Sequence, residues 1–299
     1  MNDPLEFDAI GTRWWIQAGG LTDQVAEDIR RRIDEFDGVW SRFRSDSEVS
    51  RWASGRAEAK YSGAPDGAGA ERTLVLPAEA APLGRLYREL HDLSGGSVTP
   101  FVGESLVRLG YDASYSLTPH GPAIPAPAWG RDALWEDRTV TASAPVLLDI
   151  GAAGKGLLVD LVCGILRDAG VPEFLVDAGG DLRHHGPTAA RIGLESPFDS
   201  SRAIGVVEVE DQALAASGVS RRTWGRGLHH VLDGLTGEPV RRVVASWVVA
   251  PDAMLADGLA TALFFVPGAD LAARYGVEWL SVHSDGHAEG SEYFLEGLF

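Results

Sequence analysis

The residues best suited to chemistry begin with Asp149–Gly156, whose sequence is Asp-Ile-Gly-Ala-Ala-Gly-Lys-Gly. Here a predicted strand ends in an acid, and a predicted helix begins after the glycines. The N–H groups at a helix start, together with Lys155, can bind a phosphate group. The segment is not a P-loop, because Asp149 and Gly156 stand where that loop needs Gly and Ser or Thr, and its glycine spacing differs from the dinucleotide-binding fingerprint. A Gly-rich turn with a solvated Lys155 is an equally good interpretation.

Two further segments contain groups that metal binding and proton transfer require. Asp257 and Thr261 lie four residues apart in an Ala-rich segment, so they share one face of a predicted helix. A carboxylate and a hydroxyl on one face suit a hard cation such as Mg²⁺, although a polar stripe that faces solvent gives the same pattern. His229 and His230 are adjacent and would point to opposite sides of a strand, which argues against a two-histidine metal site. One of them could act as a base near Asp233.

The elements that must position these residues are a mixture of strands and helices. Apolar spacing of three or four residues predicts helices over Thr22–Phe36, Pro77–Ser94, Leu157–Ala169 and Ala253–Phe265. Short apolar runs predict strands over Ile10–Gln17, Val146–Ile150, Glu173–Val176, Ala190–Leu194, Ala203–Val209, Val243–Ala250 and Trp279–His283. Ser54–Gly69 and the proline-rich Thr118–Ala128 are predicted to be loops. Because strands and helices do not alternate regularly, this order favours an α+β fold over a doubly wound parallel sheet.

Length and charge limit the class of protein. The chain has 299 residues with 26 Lys and Arg against 43 Asp and Glu, which gives a formal net charge of −17. This charge repels nucleic acid and anionic membrane surfaces, so neither is an expected partner. The one cysteine, Cys163, lies in an apolar segment and is predicted to be buried. The first residues show no signal-peptide pattern and no apolar segment is long enough to span a membrane, so a cytoplasmic location is expected.

The order of the motifs resembles the ApbE family of FAD:protein FMN transferases, over about residues 10 to 282. Ile10-Gly11-Thr12 resembles the opening motif of that family, and Phe43 followed by Ser47-Glu48-Val49-Ser50 resembles its aromatic and Ser-Glu-aliphatic-Ser segment. The later matches are Asp149–Gly156 with Asp160 as the acid that follows, Val176–Asp181, Ser217-Gly218, His230–Pro239 and Asp257–Thr261. The resemblance implies a single α+β domain over residues 1–299, with mixed and antiparallel sheets, packed helices and an FAD pocket between lobes.

The resemblance also implies a role for each matched residue. FAD would be the substrate and Mg²⁺ the cofactor, and the protein ligands of the metal ion would be the Ala152 carbonyl, Asp257 and Thr261. His230 and Asp257 would be the catalytic residues, with His230 accepting the proton of the attacking hydroxyl. The residues that would bind FAD are Ile10, Phe43, Ser97, Val98, Thr99, Asp149, Lys155 and Val231.

The implied reaction cleaves the FAD pyrophosphate, transfers FMN through a phosphoester to a Thr or Ser of an acceptor flavoprotein, and releases AMP. Two alternatives stay open. One is a Mg²⁺-dependent FAD pyrophosphatase that has the same site and uses water in place of the acceptor. The other is a flavin-binding protein without catalytic activity, which is suggested by Thr99 and Phe101 in place of the Asp and Thr of the family's Gly-Ala-Phe-Asp-Pro-Thr segment.

Overall fold

The computed structural model describes residues 3–55 and 72–299. The strands of these ranges are β1 (Leu5–Ala9), β2 (Thr12–Ala18), β3 (Arg72–Val75), β4 (Ala133–Glu136), β5 (Thr139–Ala142), β6 (Phe174–Asp177), β7 (Asp181–His185), β8 (Ala190–Ser196), β9 (Asp199–Val209), β10 (Ala213–Gly218), β11 (Thr223–Trp224), β12 (Leu228–His229), β13 (Val243–Ala250), β14 (Glu278–His283) and β15 (Ala288–Gly290). The helices are α1 (Asp23–Trp40), α2 (Glu48–Ala53), α3 (Ala80–Leu93), α4 (Gly103–Arg108), α5 (Gly154–Asp168), α6 (Ala253–Ala262), α7 (Gly268–Tyr275) and α8 (Glu292–Leu295), with a short 3₁₀ turn at Ser220–Arg222.

The chain divides into two compact units, each built from separate stretches of sequence. Unit 1 contains residues 3–34, 152–221 and 241–299, and unit 2 contains the described residues of 35–151 together with 222–240. This mixed α+β architecture agrees with the predicted fold class, since its sheets are antiparallel. No helix among the described residues is both long enough and apolar enough to cross a bilayer.

Unit 1 is built on an eight-stranded antiparallel sheet with the order β1-β2-β6-β7-β10-β13-β14-β15. Strand β13 is almost entirely buried, as expected for a continuous apolar run. Its residues Trp247 and Val249 pack with Leu214, Leu280 and Phe294 in one apolar core. Helices α5 and α6 pack against each other, and α6 also packs against β10 and β13. This packing determines where the polar residues of the two helices meet.

Unit 2 combines the three-stranded sheet β3-β5-β4 with α2, α3, α4 and the β11–β12 hairpin. Aromatic rings form much of its interior. Trp135 of β4 stacks on Trp40 at 5.8 Å and on Tyr87 at 6.0 Å between ring centroids. A second apolar cluster joins Leu106, Tyr111 and other buried residues of unit 2.

The predicted helices and most predicted strands are confirmed, with shifted ends. Helix α1 continues to Trp40, and the Thr22 hydroxyl caps its start by accepting from the Val25 N–H at 3.3 Å. The predicted loop over Ser54–Gly69 lies outside the described residues from position 56 onward. Burial raises the pKa of Cys163 to about 12, as its predicted position in the core implies.

One predicted strand begins too early, and another is wrong. Ile10 does not lie in a strand but in the turn between β1 and β2, with a φ of 48°. Val146–Ile150 forms no strand at all, and the Asp149 N–H instead donates to the Pro100 carbonyl at 2.8 Å. Val146, Leu148 and Ile150 of this segment are nevertheless buried. A short apolar run indicates burial, and burial alone does not require a partner strand.

Candidate functional site

The predicted metal ligands come together in unit 1, where the chain enters α5 beside α6. The Thr261 hydroxyl lies 3.4 Å from the Ala152 carbonyl oxygen and 3.4 Å from the hydroxyl of Ser217 at the end of β10. One turn earlier on α6, the Asp257 carboxylate accepts from the Gly156 N–H at 3.0 Å. Asp257 is 2% exposed. The result is a compact group of carboxylate, hydroxyl and carbonyl oxygens.

This donor set is the kind that a hard cation takes. Mg²⁺ is bound in proteins by oxygen ligands, commonly one or two carboxylates with substrate phosphates completing the coordination. Within the part of the chain that is described, no three His, Cys, Asp or Glu side chains form a metal cluster. The group at Ala152, Asp257 and Thr261 contains one carboxylate only, so the residues present fit a Mg²⁺ ion that is shared with a ligand.

Close packing of the two helices depends on Gly156. A Cβ at this position would collide with the carbonyl oxygen of Ala253 and would lie 2.8 Å from the Cβ of Asp257. The Ala253 carbonyl oxygen belongs to the backbone, so it cannot move aside by a side-chain rotation. Glycine therefore allows α5 to approach α6 closely enough for the Gly156 N–H to reach the Asp257 carboxylate.

A second contact between the helices holds the start of α6. The Asp160 carboxylate, on α5, accepts from the backbone N–H groups of Ala253 at 3.0 Å and Met254 at 2.8 Å. Asp252 caps the same helix by accepting from Leu255 at 2.8 Å. Burial raises the pKa of Asp160 to about 6, although its two hydrogen bonds act in the opposite direction. Asp160 thus anchors the helix that contains Asp257 and Thr261.

Lys155, in the first turn of α5, forms an ion pair with Asp181 at the start of β7. The Asp181 side chain is fully buried, and a buried carboxylate requires a compensating charge. The alternative of a solvated Lys155 is therefore wrong. The sequence placed Asp181 in the Gly-Gly-Asp motif without indicating its partner.

In unit 2, Asp149 is the centre of a polar contact that the sequence did not indicate. Its Oδ2 accepts from Arg42 Nε at 2.5 Å, and its Oδ1 accepts from the Gly151 N–H at 2.8 Å. Arg42 also donates through Nη1 to the Tyr111 carbonyl at 2.6 Å. Arg42 directly precedes Phe43, but no spacing rule connects it to Asp149.

Aromatic residues surround this contact in unit 2. The Phe43 ring stacks on Tyr115 at 4.9 Å with an interplanar angle of 8°. Tyr111 stacks on Trp224 at 5.5 Å, and the ring of His230 lies 6.5 Å from that of Tyr111. Burial raises the pKa of Tyr111. Phe43, Asp149 and His230 thus belong to one cluster, and Tyr111 and Tyr115 are members that sequence reasoning missed.

The two adjacent histidines have different environments. His229 is buried, donates through Nε2 to the Val240 carbonyl at 2.7 Å, and accepts at Nδ1 from the Val231 N–H at 3.3 Å. These bonds fix the turn after β12. His229 is therefore a structural residue, and the expectation that the pair does not form a two-histidine site agrees with this arrangement.

The predicted segment Ser97–Thr99 packs on the turn that follows His230. The Ser97 carbonyl accepts from the Gly234 N–H at 2.8 Å, and the Thr99 hydroxyl accepts from the Phe101 N–H at 3.3 Å. Val98 and Phe101 are buried. Both residues that depart from the family segment, Thr99 and Phe101, thus belong to the interior of unit 2. Of the other predicted FAD-binding residues, Val231 follows β12 in unit 2 and Ile10 lies in a turn of unit 1.

Comparison with known proteins identifies the family to which this chain belongs. The profile of the ApbE family matches residues 10–280. An FAD:protein FMN transferase of Vibrio cholerae is 29% identical over 264 residues, which are 83% of this chain and 76% of that protein. The corresponding protein of Haemophilus influenzae is 28% identical over 279 residues, or 86% of this chain and 78% of that one. The crystal structure of the ApbE protein of Thermotoga maritima shares the fold, with a TM-score of 0.79, 24% identity and 99% of both chains covered. The chain belongs to the ApbE family.

Proposed function

We propose that this protein is a Mg²⁺-dependent FAD:protein FMN transferase. It would cleave the FAD pyrophosphate, attach FMN through a phosphoester to a Thr or Ser of an acceptor flavoprotein, and release AMP. The observation that supports this best is the group of oxygen donors at Ala152, Asp257 and Thr261 in a member of the ApbE family. The relatives from Vibrio cholerae and Haemophilus influenzae are named for this activity. Residues 1–299 would act as one catalytic unit.

Phosphoryl transfer depends on positioning and on charge neutralisation more than on covalent help from the enzyme. A Mg²⁺ ion held by the three oxygen donors would neutralise charge on the pyrophosphate. Lys155 adds positive charge in the first turn of α5, and its ion pair with Asp181 limits where that charge can move. The start of a helix also favours an anion, because the helix dipole places partial positive charge there.

The remaining roles are those of binding and proton transfer. Phe43 would stack on an aromatic ring of FAD, and Asp149 would bind FAD through its carboxylate. The other FAD contacts would come from Ile10, Ser97, Val98, Thr99 and Val231. His230 would accept the proton of the acceptor hydroxyl as its oxygen attacks the FMN-side phosphorus, and the AMP phosphate would leave. Such general-base catalysis contributes about 10²- to 10⁴-fold to a rate.

The test is incubation with FAD, Mg²⁺ and a flavoprotein that contains an acceptor Thr. We expect flavin fluorescence to stay on the acceptor after denaturing electrophoresis, with one AMP released for each flavin attached and no reaction in the presence of a chelator. An acceptor in which the Thr is replaced by Ala is the control. AMP formation without labelled acceptor would identify a pyrophosphatase, and tight FAD binding without AMP would identify a flavin-binding protein. Either result refutes the transferase proposal for that acceptor.

A further inference from the structure

Arg42 is a buried cation whose hydrogen bonding is incomplete. Its side chain is 3% exposed. Nε donates to Asp149 and Nη1 to the Tyr111 carbonyl, whereas Nη2 is buried and makes no hydrogen bond to any described residue. Burial of a guanidinium is costly unless it is paired and its donors are satisfied, and an apolar side chain of similar size often stabilises such a position better. Stability alone therefore gives a weak reason for an arginine here.

The pair of Arg42 and Asp149 is asymmetric in its exposure. The arginine is hidden, whereas the aspartate side chain is 16% exposed. Asp149 is also held on its other side, because Oδ1 accepts from the Gly151 N–H and its own N–H donates to the Pro100 carbonyl. The buried Arg42 guanidinium thus helps to hold the Asp149 carboxylate in one position while part of that carboxylate stays exposed to solvent.

The same guanidinium contacts two aromatic rings. Its Cζ lies 4.1 Å from the centroid of Phe43 and 4.7 Å from that of Tyr111, both within the range of a cation–π interaction. One buried group therefore contacts both Phe43 and Asp149, which are the residues of unit 2 expected to stack on FAD and to bind it through a charge.

We propose that Arg42 is a positioning residue that fixes Asp149 and Phe43 for FAD binding, an inference that rests on the proposed function. The planar guanidinium is required, because Nε and Nη1 reach two separate acceptors while the flat face lies against the rings. A lysine ammonium is a single point charge on a flexible stem and cannot make this set of contacts. Arg42 acts through its neighbours and does not itself touch the substrate.

The experiment measures FAD affinity by quenching of flavin fluorescence, AMP release as kcat and KM, and the melting temperature. The variants are R42M, R42K, D149N and R42M/D149N. A hydrogen bond to a charged group has a typical value that corresponds to about a ten- to hundredfold change in affinity, so R42M is expected to weaken FAD binding by that factor with a smaller change in kcat. We expect R42K to melt near the wild-type temperature but to stay at least about fivefold weaker in FAD binding.

The double variant distinguishes positioning from a purely structural role. If Arg42 acts largely through Asp149, adding R42M to D149N should weaken FAD binding by less than about threefold further. The matched control is R131M, which breaks the exposed Arg131–Asp132 ion pair of the same unit and should leave FAD affinity unchanged.

The outcomes separate this proposal from the proposed function. A wild-type protein that does not bind FAD would overturn both, and one that binds FAD without transfer would overturn the transferase alone. Wild-type affinity in R42M or R42K, or fully additive losses in the double variant, would overturn the role of Arg42. If R42M does not fold, R42K and the double variant still decide the question, because neither leaves an unpaired charge of Asp149.

Discussion

Asp160 should make the stability of this protein decrease as the pH rises from acid to neutral. Its carboxylate is buried against the start of α6, and burial raises its pKa from 3.8 to about 6. The native state therefore binds this proton more tightly than the unfolded chain does. The resulting stabilisation is fully present below pH 3.8, declines as the pH rises, and is lost above a pH of about 6. Replacing Asp160 with Asn removes the ionisation and therefore this dependence.

The expected magnitude follows from the two pKa values. A difference of one pKa unit corresponds to about 1.4 kcal/mol, so the interval from 3.8 to about 6 corresponds to about 3 kcal/mol. Roughly 2 kcal/mol of this should be lost between about pH 4 and about pH 7. Asn is neutral and has one carbonyl acceptor, like the protonated carboxyl group that the native state contains below a pH of about 6. Asp160→Asn should therefore be about as stable as wild type near about pH 4 and more stable by roughly 2 kcal/mol near about pH 7.

The assay is urea unfolding of both proteins at several pH values. Asp132→Asn is the matched control, because the pKa of Asp132 is shifted in the opposite direction: the Arg131 guanidinium lowers it to about 2. The stability that this ion pair contributes is lost only as the pH falls from 3.8 through about 2, so the control difference should stay constant from about pH 5 to about pH 7. A stability difference between wild type and Asp160→Asn that does not change between about pH 4 and about pH 7 would refute the reasoning.

Three further substitutions test the helix contact and the two predicted catalytic residues. Gly156→Ala should destabilise the protein by about 1–3 kcal/mol in urea unfolding and weaken Mg²⁺-dependent turnover, because its Cβ would collide with the backbone of Ala253. The control is Gly164→Ala in the same helix, where a Cβ has open space, and it should be neutral or stabilise by up to about 1 kcal/mol. Equal effects of the two substitutions would contradict this account. Asp257→Asn should abolish Mg²⁺-dependent AMP release without lowering the melting temperature by more than a few degrees, since Asn still accepts from Gly156, and unchanged activity would remove Asp257 from the metal site. His230→Ala should slow transfer by about 10²- to 10⁴-fold with FAD affinity preserved, and a collapse of that affinity would make His230 a binding residue instead of the base.

The spacing of apolar residues was sufficient to predict those helices and strands whose formation depends on residues close together in the sequence. Helix α1 was predicted because apolar residues recur every three or four positions, and β13 because a continuous apolar run needs burial on both sides. Strand β1 was missed because it lies at the edge of its sheet and alternates half-buried with exposed residues. Val146–Ile150 was mistaken for a strand, because an apolar run in the interior is buried whether or not it pairs.

The sequence by itself determined the family, the α+β class and the identity of the residues proposed for metal and FAD binding. It did so because each motif is short, and its residue types reflect local requirements such as glycines at a helix start. Only the tertiary structure decided which charges are paired. Arg42 and Asp149 are 107 residues apart in the sequence, and Asp160 is 93 residues from Ala253, whose N–H donates to its carboxylate. A buried charged side chain requires a compensating partner, but the spacing of residues along the chain does not show which residue that partner is. The packing of the elements determines the partner, as when Gly156 allows α5 to approach α6.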